Sequence, residues 1–396
     1  MKGTIGILTG GGDVPGLNPA IRAVTFRALR EGFRVVGIRR GWSGLVDLVR
    51  DSEADNLDNF QILSEDQVNR AGRTGGTFLH TSRTRPSHLP KAVVPIHLRD
   101  HYADDINDLT PEVLKNLEFL NIDFLIAVGG DDTLSYAHRL HEEGVKVVAI
   151  PKTMDNDVPG TDYCIGFSTC VTRTIELTHK LRTSAGSHER FLVIEVFGRY
   201  AGFTALLPAM AGAADRCVIP ECDFEIDHLT ELLCQDRRNN PSNYGVVLIS
   251  EGAQLKSHRD MSFEGDETDQ YGHRKLGGIG DQIAAQLKQL SPRFNEGRRV
   301  NVVNQRLGYL VRCGEPDAID SIVPMAYGNL ALDLILSNSS GRLVCLRNGC
   351  YDNVPIESIM GQKKVVDVQK YYDPKRLRPK YDTFERLPLF VMTSDG

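Results

Sequence analysis

Short apolar runs alternate with longer stretches of helical periodicity along most of this chain. Residues 4–8, 34–39, 124–128 (FLIAV), 145–150 (VKVVAI), 191–196, 217–219, 245–250, 299–303 and 342–346 read as strands, many with the continuous apolar character of burial on both faces. Between them, residues 18–30, 133–143, 166–183, 202–212, 227–237, 277–290 and 318–336 read as helices. Alternation of this kind predicts an α/β fold, with mostly parallel sheets and helices on both faces. Around 90–110 the periodicity is lost and a surface insertion is expected. Residues 254–272 read as an exposed charged excursion, and 369–396 as a tail packed over the surface.

Two of the apolar runs end in turns rich in acidic residues. FLIAV leads into Gly129-Gly130-Asp131-Asp132-Thr133, and VKVVAI into Pro151-Lys152-Thr153-Met154-Asp155-Asn156-Asp157. Open α/β sheets bind ligands beyond the carboxyl ends of their strands, so four carboxylates, a lysine and glycine amides are brought towards one crevice. A lone Asp-Asp pair would more often cap a helix. Two acidic clusters at adjacent strand ends, with Lys152 between them, point instead to a cation and phosphates. DNDVPG lacks the spacing and distal Glu of a calcium loop, whereas magnesium bound through one or two carboxylates plus substrate phosphate suits the pattern. An aspartate can also take the proton from an attacking hydroxyl. The residues themselves therefore lead to magnesium-dependent phosphoryl transfer.

Two further stretches bear on that chemistry. TGGGDVPGLNPAIRAV is a glycine-rich turn opening a helix, and Gly11 and Gly12 would let backbone amides approach a phosphate. It matches neither the P-loop nor G-x-G-x-x-G, so a βα turn without a ligand fits it as well. Residues 73–86, RTGGTFLHTSRTRP, read either as a solvated loop or as a basic lid over an anionic substrate.

Bulk properties narrow the class. The 396 residues exceed one comfortable core, which favours two domains. Hydrophobic content of 41% and charged content of 25% are those of a soluble globular protein. A net charge of −6 gives no reason to expect a nucleic-acid or membrane surface. Eight cysteines without a C-x-x-C pair argue against zinc and for buried thiols in a reducing compartment. With no apolar signal core and no run judged long enough to span a bilayer, a cytoplasmic location is expected.

TGGGDVPGLN, GGTFLHTSR, GGDDT, PKTMDND, SHERFLVIEVFGRYAG and GYLVRCGEPDAID, in this order, resemble the phosphofructokinase family over most of the chain. The resemblance implies two three-layer α/β/α domains with the active site in the cleft between them. Residues 1–165 plus 320–370 would bind the phosphoryl donor, and 166–319 plus 371–396 the sugar phosphate. It implies transfer to the 1-hydroxyl of fructose 6-phosphate. Asp155 would be the base, supported by Asp157, with Thr153 at the transferring phosphoryl group, Arg83 stabilising it and Asp131 associated with Mg2+. Gly11 and Gly12 would line the phosphate loop. Phe197, Gly198, Arg199 and Glu251 match sugar-binding positions. Arg190 and Arg312 match arginines that reach the sugar 6-phosphate from a neighbouring subunit, which implies a homodimer or homotetramer.

The donor is the finer question. Family members that use ATP resemble GGDG and PGTIDND, whereas Asp132 and Lys152 resemble the pyrophosphate-dependent branch. A carboxylate facing a nucleotide's α-phosphate would oppose it by about 4 kcal/mol at 4 Å in an effective dielectric of roughly 20. Lys152 would pair with a pyrophosphate oxygen. Tyr136 stands where ATP-using relatives carry a small residue beside the adenine, or is simply a helix aromatic. Ser321 replaces a family arginine expected to help hold the sugar phosphate, with Arg306, Arg298 or Arg299 as substitutes. The expectation is a reversible pyrophosphate–fructose 6-phosphate phosphotransferase. An ATP-dependent enzyme and a non-catalytic regulatory subunit are the alternatives.

Overall fold

The protein is described by a computed structural model covering residues 2–51, 53–257, 263–268, 274–382 and 385. It is built on two sheets with helices packed against them. The larger has seven strands in the spatial order Cys350–Pro355, Arg342–Arg347, Val147–Pro151, Phe124–Gly129, Thr4–Thr9, Arg34–Ile38, Phe60–Ile62. Its five inner strands run parallel, and Thr4–Thr9 and Phe124–Gly129 are buried along their whole length. That is why they read as unbroken apolar runs.

Both edges of this sheet depart from the parallel expectation. Phe60–Ile62 and Cys350–Pro355 pair antiparallel with their neighbours. The second forms a hairpin through Asn348-Gly349, both with positive φ (51° and 79°), the pairing an Asn-Gly turn favours. This signal lay in the sequence; the strand escaped the apolar reading because four of its six residues are exposed.

The smaller sheet, in the order Val302–Arg306, Phe191–Val196, Gly245–Ser250, Arg216–Val218, is wholly parallel. The strand expected at 299–303 lies three residues later, as half-buried VVNQR at the sheet edge, where no apolar run marks it. Helix Thr110–Phe119, with a proline in its first turn, follows the stretch read as an insertion. Residues 258–262, 269–273, 383, 384 and 386–396, parts of the expected excursion and tail, lie outside the described residues. Within the excursion, Phe263–Thr268 and Arg274–Leu276 pair as an antiparallel ribbon.

One apolar cluster joins residues of both sheets, from Ile7 and Ile126 through Phe167 to Val193 and Leu248. Helix Ile319–Leu336 is long and apolar enough by length and composition to cross a membrane, contrary to the expectation that no run is long enough to span a bilayer. Here it packs beside helix Leu17–Arg30 with Val323, Tyr327, Ala331 and Ile335 buried. Asp320 in its first turn accepts hydrogen bonds from Tyr163, Gly166 and Thr169, tying it to the start of helix Phe167–Ser187.

Candidate active site

The carboxyl ends of strands from both sheets open onto a cleft of about 440 Å³, a size suited to a small ligand. All the site residues expected from the sequence line it except Gly198 and Arg190.

On the large-sheet side, Thr4–Thr9 ends in the glycine-rich turn. The Gly10 amide donates to Val128 O (2.9 Å) and the Gly11 amide to Ser82 O (2.8 Å). Thr81 Oγ1 donates back to Gly11 O (2.7 Å), so the loop carrying Arg83 is fastened to the turn. Gly11 has φ +79°, and a Cβ there would lie 3.2 Å from Lys152 Nζ; one on Gly12 would collide with Arg312 Nη2. Side chains at these positions would displace two cations.

Lys152 is 3% exposed, and its Nζ donates to Gly12 O (2.7 Å). Burial, followed by the neighbouring Arg312 charge, lowers its pKa to about 7. Helix Asp131–Glu142 starts at the cleft with Asp131 and Asp132 in its first turn, where the helix dipole favours negative charge. Desolvation, then the charges of Asp157 and Asp132, raise Asp131 to about 6, against the pull of Lys363.

The PKTMDND turn is shaped by Asn156. It has φ 56°, is fully buried, donates to Asp162 O (2.9 Å) and accepts from the Cys164 amide (2.7 Å). Flanking it, Asp155 and Asp157 both line the cleft. Burial, then the charges of Asp157 and Glu251, push Asp155 well above the usual carboxylate range, and its Oδ1 is buried without a hydrogen-bond partner. A raised carboxyl beside a second acid is the arrangement a proton acceptor needs near neutral pH.

The small sheet supplies the opposite wall. Phe197, Arg199 and Tyr200 follow Phe191–Val196, and Glu251 follows Gly245–Ser250. The Gly252 amide donates to Gly198 O (3.1 Å), joining the two strand ends. Burial raises Glu251 to about 7, opposed by Arg199.

Several expectations need correction. Arg312, expected to serve a neighbouring subunit, lies in its own chain's cleft, donating through Nε and Nη2 to Asp13 O at 2.9 and 2.6 Å. Arg190, by contrast, needs no correction: it was expected at a neighbouring subunit's site, and it precedes the amino end of Phe191–Val196, roughly 20 Å from the strand's carboxyl end, outside its own chain's cleft. Asp132 is not an uncompensated charge. Arg85 pairs with it at 2.5 Å, and sequence reasoning gave Arg85 no role of its own.

Tyr136 is a core residue, 4% exposed, edge-on to Trp42 at 4.9 Å with its hydroxyl on Thr110. Ser321 lines a separate cavity with Arg22 and Arg73, so it removes no cation from the main cleft. Of its suggested substitutes, Arg306 pairs with Glu195 at 2.8 Å, and none of the three lines the cleft. Among the described residues no group of three or more Asp, Glu, His or Cys side chains is placed to hold a metal ion by itself.

Comparison with known proteins bears on this cleft. A family model described as Phosphofructokinase matches residues 4–335. The chain is 35% identical over 378 residues to the pyrophosphate--fructose 6-phosphate 1-phosphotransferase of Dictyoglomus thermophilum, covering 94% of this chain and 98% of that one. It is 35% identical over 368 residues to ATP-dependent 6-phosphofructokinase 3 of Streptomyces coelicolor, covering 93% and 97%. Among solved structures, the fold matches a pyrophosphate-dependent phosphofructokinase from Marinobacter aquaeolei with TM-score 0.72 at 18% identity, over 99% of this chain and 92% of that one. It also matches the phosphofructokinases of Saccharomyces cerevisiae (TM-score 0.68, 23% identity) and Pichia pastoris (0.71, 24%) over 90% and 91% of this chain. The chain spans less than half their length, 45% and 35%.

Proposed function

This chain belongs to the phosphofructokinase family, and on that premise we propose that it transfers a phosphoryl group reversibly from pyrophosphate to the 1-hydroxyl of fructose 6-phosphate. Phosphotransfer to fructose 6-phosphate is common to the family; the donor is the part proposed. The observation that carries it is the Arg85–Asp132 pair at the cleft lining. An exposed pair of this kind is worth roughly 0–1 kcal/mol, and with its charge compensated Asp132 does not repel a nucleotide by the full Coulomb term. On this reading the two side chains stand where a donor longer than two phosphates would have to leave the cleft. Pyrophosphate needs no such exit.

Asp155 takes the proton from the sugar hydroxyl, and its raised pKa makes it a stronger base than an ordinary aspartate. Lys152, Arg83 and Arg199 hold the charge that develops on the phosphoryl oxygens. Glu251, with Phe197, orients the sugar, and Gly198 holds the two strand ends together behind them through its bond from the Gly252 amide. The acids suit a magnesium ion brought in with the donor phosphates and completed by water, because such an ion needs only one or two carboxylates. Asp131 would hold it, and like charges raising that carboxyl are what a bound cation relieves. Magnesium would supply neutralisation of phosphate charge. Arg190 would serve the neighbouring subunit of a homo-oligomer.

ATP is the second reading. It is favoured by the compensated charge on Asp132 and by the two donors named among relatives of similar identity. An aldolase-coupled assay offering each donor separately tests the choice. Turnover with pyrophosphate and none with ATP is expected; turnover with ATP alone overturns the proposal.

A further inference from the structure

Past the large-sheet hairpin and the turn Ile356–Ile359, the chain crosses to the small-sheet side through residues 361–367. Anchors hold this crossing on both sides. Lys364 is 3% exposed, and its Nζ donates to Thr161 O (2.6 Å) and Asp162 O (3.2 Å), backbone that follows the PKTMDND turn. The same ammonium lies 5.7 Å from the ring of Phe203, on the helix that follows Arg199 and Tyr200. Two residues on, the Val366 amide donates to Glu221 Oε1 (2.8 Å), which also accepts from the Gly202 amide (2.9 Å).

Lys363, between these anchors, is exposed, and its Nζ stands 4.2 Å from the centroid of the Tyr200 ring. Tyr200 lines the cleft. Among the described residues no ion pair engages Lys363. An exposed lysine is usually a solvated, wandering charge, and anchors on both sides with an aromatic face beneath restrict this one.

The cleft has use for another cation. Arg83, Arg85, Lys152, Arg199 and Arg312 face Asp131, Asp132, Asp155, Asp157 and Glu251 there, five charges against five. Counted at formal charge, two phosphorylated ligands enter a site whose own cations and acids only balance. Lys363 also lies near enough to Asp131, at the start of helix Asp131–Glu142, to attract its carboxylate.

We propose that Lys363, presented by the 361–367 crossing, binds the phosphoryl donor and neutralises its outer phosphate. The proposal rests on the phosphotransferase reading above and is independent of which donor is used. The test compares wild type, Lys363→Met and Lys363→Arg, each assayed with whichever of inorganic pyrophosphate and ATP the wild type consumes. A mistaken donor assignment then changes the substrate in the assay and leaves the comparison intact. Lys363→Met is expected to raise the KM for the donor about tenfold, the equivalent of ~1.4 kcal/mol, with kcat and the KM for fructose 6-phosphate within about twofold. Calorimetric titration with the same donor should show the same loss of affinity, and Lys363→Arg should recover most of it. Because Lys363 is exposed, the melting temperature should not move. Unchanged donor KM and affinity in Lys363→Met, or a loss confined to fructose 6-phosphate, would overturn it.

Discussion

Replacing Lys152 by methionine should stabilise the protein in mild acid while abolishing efficient use of the donor. The ammonium is almost fully buried, it donates a hydrogen bond to Gly12 O, and Arg312 and Arg83 add like charge nearby. Its pKa falls from an ordinary 10.5 to about 7. At about 1.4 kcal/mol per pH unit, holding the charged form in the folded protein costs about 5 kcal/mol at pH 6. The unfolded lysine stays protonated up to about 10.5, whereas the folded one loses its proton near 7. Between those values the penalty shrinks as pH rises, to about 2 kcal/mol at pH 9.

Methionine carries no such penalty at either pH. Loss of the bond to Gly12 offsets part of the gain at pH 6, but much of that offset cancels between the two conditions. Chemical denaturation of wild type and Lys152→Met at pH 6 and pH 9 should therefore show the variant's relative stability falling by about 3 kcal/mol from the lower to the higher pH. A stability difference that is the same at both pH values, or that grows with pH, would refute the argument that this lysine is held against its solvation.

Other substitutions probe the remaining parts of the cleft. Asp155→Asn should lower kcat by about 10²- to 10⁴-fold with little change in either KM, measured by steady-state kinetics with the donor in use. In the wild type, the rate should rise with pH through a pKa above the ordinary carboxylate range, because Asp155 must be ionised to accept the proton; a pH–rate profile reads this limb directly. Asp132→Gly frees Arg85 and opens the rim, so kcat/KM with ATP should rise about tenfold or more relative to that with pyrophosphate in a two-donor assay. Asn156→Ala removes two buried hydrogen bonds and puts alanine at φ 56°. It should cost about 3 kcal/mol in urea denaturation and reduce activity by displacing Asp155 and Asp157.

How much of this was legible beforehand depends on how local each cause is. FLIAV and VKVVAI declare buried parallel strands because both their faces are covered, and the acidic turns follow within a residue or two, so the carboxyl-end crevice could be placed from the pattern. Cys350–Pro355 was passed over since only its hairpin, and not its exposed residues, marks it. Val302–Arg306 was misplaced because an edge strand is half-covered and carries no apolar run. Arg312, expected at a neighbouring subunit's site, lies in its own chain's cleft, because a motif gives a residue's type and spacing but not the direction in which its side chain leaves the backbone.

The sequence alone determined the alternation of strand and helix, the glycine and aspartate turns, and which residue types gather at the strand ends, since each follows from the hydrophobicity and backbone freedom of neighbouring residues. Tertiary structure decided which charges meet. Arg85 finds Asp132 across 47 residues, Lys364 reaches Thr161 across 203, and Arg312 reaches Asp13 across 299. Coulomb energies and desolvation depend on distances and burial that exist only once the chain has folded, so the ionisation of Lys152 and Asp155 and the partner of Asp132 could not be read from residue order.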